Sequence, residues 1–302
     1  MNITLTGATG LIGRRLVRAL RDRGDTLTVL SRSPDRARTT LGVDAELWDP
    51  MTGPAPTAAL AGRDAVLHLA GEPVAQRWND RVKQAIRESR ETGTRHLVEG
   101  LAAVAQDARP RVLVSSSAVG YYGRHGGERV PESTPPGDDF LAAVCVAWER
   151  EAARAGELGL RVVAVRTGVV LDADGGALAK MLTPFKLGVG GPVAGGDQYL
   201  PWIHVDDLVA LYLAALDGED WQGAYNASAP EPVTNQAFGK ALGRALHRPA
   251  ILPVPGFALR LLYGDMAEIV TEGQRAVPER ALAQGFAFRH ADLDEALADS
   301  LR

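Results

Sequence analysis

A glycine-rich turn behind the first apolar segment constrains the fold of this chain more than any other feature. Residues 6–13 read Thr-Gly-Ala-Thr-Gly-Leu-Ile-Gly, between a strand-like segment at 2–5 and a helical pattern at 11–20. Gly7 allows the tight turn, Gly10 lets the backbone approach a pyrophosphate, and Gly13 lets helix and strand pack closely. The helix N-terminus offers free N–H groups to the phosphates. This context predicts dinucleotide binding.

Short apolar segments alternate with helical patterns through the first half of the chain. These segments are rich in β-branched residues and are bounded by turn residues, which is typical of a buried parallel sheet. The predicted strands are residues 2–5, 27–30, 45–48, 65–69, 112–114 and 162–165, and the long helices are 79–105 and 140–158. This order predicts an α/β fold, with a Rossmann-type doubly wound parallel sheet.

The pattern changes beyond about residue 170. Residues 188–196 contain five glycines and one proline, which predicts a loop. Asp206 and Asp207 are predicted to cap an apolar helix at 208–216. We expect an NAD(P)-binding domain over residues 1–170 and a smaller C-terminal substrate lobe over 171–302, the two intermixed. The glycine-rich loop, with Lys186 and Trp202, is a candidate lid over a substrate.

The end of the second predicted strand bears on the choice between NAD and NADP. An acidic residue there, about 20 positions past the glycines, would bind the ribose 2′-hydroxyl. This chain has Ser31, Arg32 and Ser33 instead. Arg32 suits a 2′-phosphate, with the serines as hydroxyl donors, so NADP(H) is the predicted cofactor. Because the acidic residue Asp35 follows only three positions after Arg32, NAD remains the alternative cofactor.

Charge and cysteine content exclude several classes of protein. The 33 basic and 37 acidic residues give a net charge of −4, without the basic face of a nucleic-acid binder. A single cysteine, Cys145, excludes a disulfide scaffold. The first residues lack the pattern of a signal peptide, and the longest apolar stretch is too short to span a bilayer. We expect a cytoplasmic monomer or homodimer that binds a small molecule, without nucleic-acid or membrane partners.

Four groups of residues resemble the extended short-chain dehydrogenase/reductase superfamily, of the NAD-dependent epimerase/dehydratase kind. They are Leu69-Ala70-Gly71, Thr92-Gly93-Thr94, Ser115-Ser116-Ser117 with Tyr121, and Ile203-His204-Val205-Asp206-Asp207. The resemblance implies that Leu69, Ala70 and Gly71 line the cofactor. It also implies that Thr167 and Gly168 contact the nicotinamide end. The further candidate cofactor-binding residues are Ser115 and, in the glycine-rich turn, Thr9, Leu11 and Ile12.

More narrowly, the chain resembles an atypical branch of epimerase-family proteins that carry an added C-terminal segment. The match includes Gln76-Arg77-Trp78, Val144-Cys145 with Trp148-Glu149, Gly264-Asp265-Met266 and Gly273-Gln274-Arg275. The added segment corresponds to residues of about 250–298 here.

The catalytic pair of the main family is missing from this chain. That pair is Tyr-x-x-x-Lys, in which the lysine lowers the pKa of the tyrosine, yet no lysine occurs between Lys83 and Lys180. The positions of this tyrosine and lysine correspond to Val144 and Trp148 or, with a one-residue shift of the alignment, to Cys145 and Glu149. A phenol with a pKa of about 10 and no cationic neighbour is a poor base at neutral pH. The usual mechanism, and with it conventional sugar-nucleotide epimerisation, is therefore not expected.

Other side chains are candidates for the chemistry. Ser117 follows a predicted strand, at the edge where such sheets bind ligands. The candidates are Ser117, Tyr121, Cys145, Glu149 and His204, with Glu149 or His204 as the titrating group. The six histidines show no metal-ligand spacing, so no metal is predicted. Two hypotheses stay open: an NADP-dependent oxidoreductase or epimerase-like enzyme acting on a small carbonyl or hydroxyl compound, and a non-catalytic NADPH-binding or sensing protein.

Overall fold

A seven-stranded parallel sheet forms the centre of the computed structural model, which describes residues 1–302 apart from the side chains at 258, 262 and 263. Its strands are β1 Asn2–Thr6, β2 Thr26–Ser31, β3 Asp44–Leu47, β4 Ala65–His68, β5 Val112–Ala118, β7 Arg161–Thr167 and β11 Gly223–Ala227. Their order across the sheet is β11-β7-β5-β4-β1-β2-β3. After β3 the chain crosses back to place β4 on the other side of β1, so the strand order reverses between β1 and β4. This reversal places a crevice at the carboxyl ends of these strands.

Six shorter strands pair outside the central sheet. They are β6 Arg129–Val130 with β13 Arg275–Ala276, β8 Val169–Leu171 with β10 Trp202–His204, and β9 Tyr199–Leu200 with β12 Val233–Thr234. The first two pairs are parallel and the third is antiparallel. Because β11 joins the central sheet beside β7, chain beyond residue 170 contributes to the same sheet as the N-terminal strands.

Helices cover both faces of the sheet. They are α1 Leu11–Asp22, α2 Pro34–Leu41, α3 Asp80–Ala102, α4 Phe140–Ala153, α5 Gly176–Lys186, α6 Val205–Asp217, α7 Asn235–Ala245, α8 Gly256–Tyr263, α9 Glu268–Thr271, α10 Glu279–Ala283 and α11 Leu293–Ser300. Successive strand residues point to opposite faces. Leu67 accordingly packs with Leu16 of α1, whereas Val66 packs with Leu97 of α3. The predicted α/β, doubly wound parallel sheet is confirmed.

Two predicted helices differ at their ends. The 140–158 pattern is α4 followed by a separate 3₁₀ turn, Arg154–Leu158. The prediction that Asp206 and Asp207 cap a helix at 208 is wrong, because α6 begins at Val205 and His204 is its N-cap. Asp207 is occupied elsewhere, since its carboxylate accepts the backbone N–H groups of Arg289 and His290.

Among the helices that the structure describes, none is both long enough and apolar enough to cross a bilayer.

Candidate functional site

The glycine-rich turn is built around close backbone contacts. Gly7 has φ of +67°, and a Cβ there would lie 2.6 Å from the carbonyl carbon of Leu69. A Cβ on Gly13 would lie 2.4 Å from the Gly7 oxygen, so α1 approaches β1 as closely as the motif predicts. Gly10 is the N-cap of α1 and no side chain caps it. The first N–H groups of α1 are therefore available to an anionic ligand.

A cavity of about 510 Å³ opens at this turn, within the size range of ligand sites. The predicted cofactor residues that line it are Gly7, Thr9, Gly10, Ser31, Arg32, Leu69, Ala70 and Gly71. Sequence reasoning missed the second wall of the cavity, which includes Trp48, Asp49, Pro50, Met51, Glu72 and Ser89. The position of residues 48–51 directly behind β3, a neighbour of the nucleotide-binding strands, was the available signal.

Seven other predicted cofactor residues lie outside the lining of this cavity, as the described side chains define it. They are Leu11, Ile12, Gly13, Ser33, Ser115, Thr167 and Gly168. The Ser115 hydroxyl is buried and donates to the backbone oxygen of Ser116. A Cβ on Gly168 would lie 2.2 Å from the oxygen of Pro201, so this glycine permits a backbone approach. Roles for these seven toward the cofactor stay predictions.

At the end of β2, the positive charge of Arg32 is free to bind the 2′-phosphate of NADP(H). Arg32 lines the cavity, is exposed, and forms no ion pair with any described residue. Asp35, the residue that left NAD open, points to solvent and pairs with Arg38 at 2.7 Å. Asp35 therefore does not neutralise Arg32.

A buried histidine supports the cavity wall formed by Leu69 and Ala70. His68 is fully buried, and its Nδ1 and Nε2 lie 2.7 Å and 3.0 Å from the hydroxyls of Thr6 and Thr94. The Thr6 hydroxyl in turn accepts the N–H groups of Leu69 and Ala70. The histidine thus links the cavity wall to β1 and α3.

This arrangement predicts a pH dependence of stability. Burial, followed by the charge of Arg90, lowers the pKa of His68 from 6.5 to about 4. The unfolded chain therefore binds a proton more readily than the native protein does. The neutral, buried His68 therefore contributes its full stabilisation above about pH 6.5. As the pH falls toward 4, the unfolded chain takes up a proton at this histidine, and the free energy of unfolding decreases by about 3 kcal/mol. Urea unfolding at stepped pH measures this loss. His68→Gln should flatten the slope in this window, and an unchanged slope would contradict the assignment.

Ser117, Glu149 and Arg166 form a polar network at the carboxyl ends of β5 and β7. Ser117 and Arg166 are register partners in these strands. The Ser117 hydroxyl donates to Oε1 of Glu149 at 2.6 Å. Arg166 donates through Nε to Oε1 and through Nη2 to Oε2, both at 2.8 Å. The guanidinium is 5% exposed and the carboxylate 16%, so the pair is largely shielded from water.

Two tyrosines surround the same guanidinium. The Arg166 guanidinium carbon lies 3.4 Å from the ring centre of Tyr121, and Nη1 donates to the Tyr122 hydroxyl at 2.9 Å. Tyr122 donates onward to Oδ1 of Asn226. Burial raises the pKa of Tyr122 to about 12 despite the opposing charge of Arg166. Tyr122 is therefore not a base at neutral pH, and Tyr121 offers a ring face to the arginine.

The structure argues against two of the catalytic candidates. Cys145 is 3% exposed, and burial, followed by the charge of Glu149, raises its pKa to about 12, so its thiol is not a nucleophile at neutral pH. The His204 ring contacts His290 at 3.8 Å between ring centres, and His204 and Ser117 have no hydrogen-bond partner in common among the described residues. Burial, followed by the charge of His290, lowers the pKa of His204. His204 is not part of the Ser117 network.

The candidate lid is also corrected. Trp202 is fully buried, in the cluster that contains Leu171 and Phe238, so it cannot cover a substrate. Lys186 is exposed at the end of α5. The glycine-rich loop is tied to residues 252–254 by backbone hydrogen bonds, including a bridge from Val193 to Val254.

Known proteins are similar to this chain in sequence and in fold. The model of the NAD dependent epimerase/dehydratase family matches residues 3–228, and a domain of unknown function, DUF1731, matches residues 254–300. The Arabidopsis thaliana protein named "Epimerase family protein SDR39U1 homolog, chloroplastic" is 41% identical, over 98% of this chain and 86% of its own length.

Two solved structures extend this similarity. The human epimerase family protein SDR39U1 (isoform 2), solved with NADPH, has a TM-score of 0.88 and 34% identity, over 99% of this chain and 98% of that one. A nucleoside-diphosphate sugar epimerase from Corynebacterium glutamicum has a TM-score of 0.80 and 34% identity, over 100% of this chain and 58% of that one.

Proposed function

This chain belongs to the NAD dependent epimerase/dehydratase family, and from that premise we propose that it is an NADP(H)-binding oxidoreductase. Its proposed substrate is a small carbonyl or hydroxyl compound, handled without the family's Tyr/Lys pair. One observation carries the proposal: Ser117 and Glu149 are hydrogen-bonded at the carboxyl edge of the sheet, the edge at which the cofactor cavity opens. This is the edge at which open parallel sheets bind their ligands.

The residues at the cavity fit the cofactor. The uncapped N-terminus of α1 would hold the pyrophosphate, because its N–H groups have no side-chain partner and Gly10 presents no side chain. Arg32 would hold the 2′-phosphate, since it lines the cavity, and Asp35, three positions later in the sequence, is paired with Arg38. The NADPH found in the human relative supports this choice.

The polar network supplies the proton transfers. When bound, NADPH supplies a hydride to a carbonyl carbon, and NADP⁺ accepts one from an alcohol. In alcohol oxidation, Ser117 takes the substrate's hydroxyl proton as its own proton passes to Oε1 of Glu149, 2.6 Å away. In carbonyl reduction, Ser117 gives its proton to the nascent alkoxide and regains one from solvent, and the restored hydroxyl donates again to the Glu149 carboxylate.

Arg166 positions the carboxylate for this transfer. Two parallel N–H···O bonds fix the plane of the Glu149 carboxylate. Burial alone would lower the pKa of Arg166, but its hydrogen bonds and charge interaction with Glu149 raise it above its ordinary value. The guanidinium therefore remains charged at every physiological pH.

Arg32→Ala is expected to remove the preference for NADPH over NADH. A charge-assisted contact with the 2′-phosphate, made by an exposed arginine, is worth on the order of tenfold in affinity. Calorimetric titration of the variant and of Arg36→Ala, a neighbouring exposed arginine, measures the difference. Equal affinities of the unchanged protein for both cofactors would contradict the assignment, as would a preference that survives in Arg32→Ala.

Ser117→Ala is expected to lower the rate of NADPH-dependent carbonyl reduction by at least about 100-fold, because it removes the group that protonates the substrate oxygen. Loss of reduced-cofactor absorbance over a panel of aldehydes, ketones and quinones measures the rate. Ser133→Ala, at an exposed serine, is the control. Rapid epimerisation of a UDP-sugar by the unchanged protein would overturn the proposal.

One observation favours a second candidate function, a non-catalytic NADPH-binding or sensing protein. Three titratable side chains near Ser117 are unsuited to proton donation, because Cys145 and Tyr122 are buried and Glu149 is held by Arg166. Such a site would bind the cofactor without turnover. Inactivity over the whole carbonyl panel, with NADPH binding intact, would favour this second function.

A further inference from the structure

We propose that His204, His290 and Asp299, with Asp206 at the rim, form a binding site for a divalent transition-metal ion such as Zn²⁺. One possible ligand atom from each of these four residues lies within 4.8 Å of the others. The site is separate from the cofactor cavity and from the Ser117 network. It joins the N-terminus of α6 to the C-terminal segment that ends in α11.

Unpaired imidazole nitrogens point to a ligand at this place. His204 is 3% exposed, and its Nε2 is buried without a hydrogen-bond partner among the described residues. Nε2 of His290 is likewise buried and has no hydrogen-bond partner among the described residues. Buried polar atoms are normally satisfied, so two orphans in one cluster require an explanation. Nε2 of His204 comes within 3.5 Å of Oδ2 of Asp299 without forming a hydrogen bond.

The four side chains offer the mixture of nitrogen and oxygen ligands that Zn²⁺ and similar metal ions bind. Imidazole nitrogens and carboxylate oxygens together bind Zn²⁺ and its first-row neighbours, whereas Ca²⁺ and Mg²⁺ prefer oxygen alone. Zinc–ligand distances of about 2.0–2.2 Å put tetrahedral donors roughly 3.3 Å apart. The present separations, of up to 4.8 Å, therefore have to shrink by up to about 1.5 Å. Asp206 is exposed and Asp299 is 39% exposed, so both side chains have room to turn inward.

A second layer of contacts holds the two histidines together. Asp207 is buried, and its carboxylate accepts the backbone N–H groups of Arg289 and His290 at 2.8 Å and 2.9 Å. The two imidazole rings consequently stack with a tilt of 31°. This contact fixes the backbone at His290 relative to the start of α6.

Metal binding has a defined consequence for the tautomer of His204. Its Nδ1 accepts the N–H of Asp206 at 3.2 Å, so the proton of the neutral ring is on Nε2. Coordination through Nε2 moves this proton to Nδ1 and breaks that long capping bond. The ion thereby replaces one weak hydrogen bond with ligands from both parts of the chain, and it fastens α11 to α6.

Cobalt titration of the tag-free, metal-stripped full chain tests the site. Co²⁺ is the probe, because its visible absorption reports coordination by nitrogen and oxygen ligands, and Zn²⁺ is then added to displace it. We expect one Co²⁺ per chain. His290→Ala should weaken binding by more than about tenfold, whereas His125→Ala, at a histidine outside the cluster, should bind as the unchanged protein does. Absence of saturable one-to-one binding would overturn the proposal, since a water molecule would then be the better occupant.

Thermal unfolding keeps the test valid if His290→Ala folds poorly. Asp299→Asn removes an anionic ligand at a partly exposed position, so it should fold normally. Zn²⁺ is expected to raise the unfolding temperature of the unchanged protein and of His125→Ala, with a much smaller rise in Asp299→Asn. Equal rises in all three proteins would overturn the proposal.

Discussion

Gly10→Val is expected to fold and yet to lose NADP(H) binding by at least about 100-fold, or about 2.7 kcal/mol. Gly10 has φ of −73° and ψ of 175°, an extended conformation that valine adopts readily. A Cβ there would meet only the oxygen of Gly7, at 3.3 Å, which requires a small shift of the turn. The branched side chain would, however, occupy the space that a pyrophosphate needs. Calorimetric titration of NADPH measures the loss.

The control for this prediction is Gly156→Val. Gly156 is exposed outside the cavity, without positive φ, and a Cβ there meets no atom within 4 Å. It should bind NADPH as the unchanged protein does. A folded Gly10→Val protein that retained its NADPH affinity would show that the pyrophosphate does not lie at this turn.

Arg166→Met is expected to lower the free energy of unfolding by about 3–5 kcal/mol, because it leaves the Glu149 carboxylate unpaired in a largely buried position. The variant also removes the hydrogen bond to the Tyr122 hydroxyl. Urea unfolding, followed by far-ultraviolet circular dichroism, measures the change.

A double variant distinguishes the cost of leaving a charge unpaired from the cost of altered packing. In Arg166→Met with Glu149→Leu, the unpaired charge is gone, so a substantial part of the stability should return. An Arg166→Met protein within about 0.5 kcal/mol of the unchanged one would contradict the account. So would a double variant less stable than Arg166→Met alone.

Local pattern predicted the cofactor turn and six of the seven strands of the central sheet, but it missed β11, which lies in the region assigned to the C-terminal lobe. Most of the predicted strands contain β-branched residues between turns, and the close contact at Gly13 joins residues that are near one another in sequence. Gly7, in contrast, approaches Leu69, 62 positions later. The α6 cap was mispredicted because Asp206 and Asp207 both suit an N-cap, while Asp207 is used instead to bind the backbone at 289–290.

The two polar clusters depend on contacts between distant residues. Glu149 of α4 meets Ser117, 32 positions earlier, and Arg166, 17 positions later. A usable signal was present, because Arg166 is a charged residue at the end of an apolar strand. His204 and His290 come together only through the docking of the C-terminal segment, so their spacing in the chain carries no metal signature. Cys145 and Trp202 are buried, which argues against the roles predicted for them. The extent of their burial could not be predicted from composition alone.

Transfer of deuterium from labelled NADPH tests the central claim most directly. NADPH carrying deuterium at its transferable position would be incubated with the protein and the carbonyl panel, and the products analysed by mass spectrometry. The account predicts at least one alcohol that carries deuterium on its former carbonyl carbon, at a rate that Ser117→Ala lowers by at least about 100-fold. Fully retained label in protein-bound NADPH, with every carbonyl compound unreacted, would contradict the assignment as an oxidoreductase.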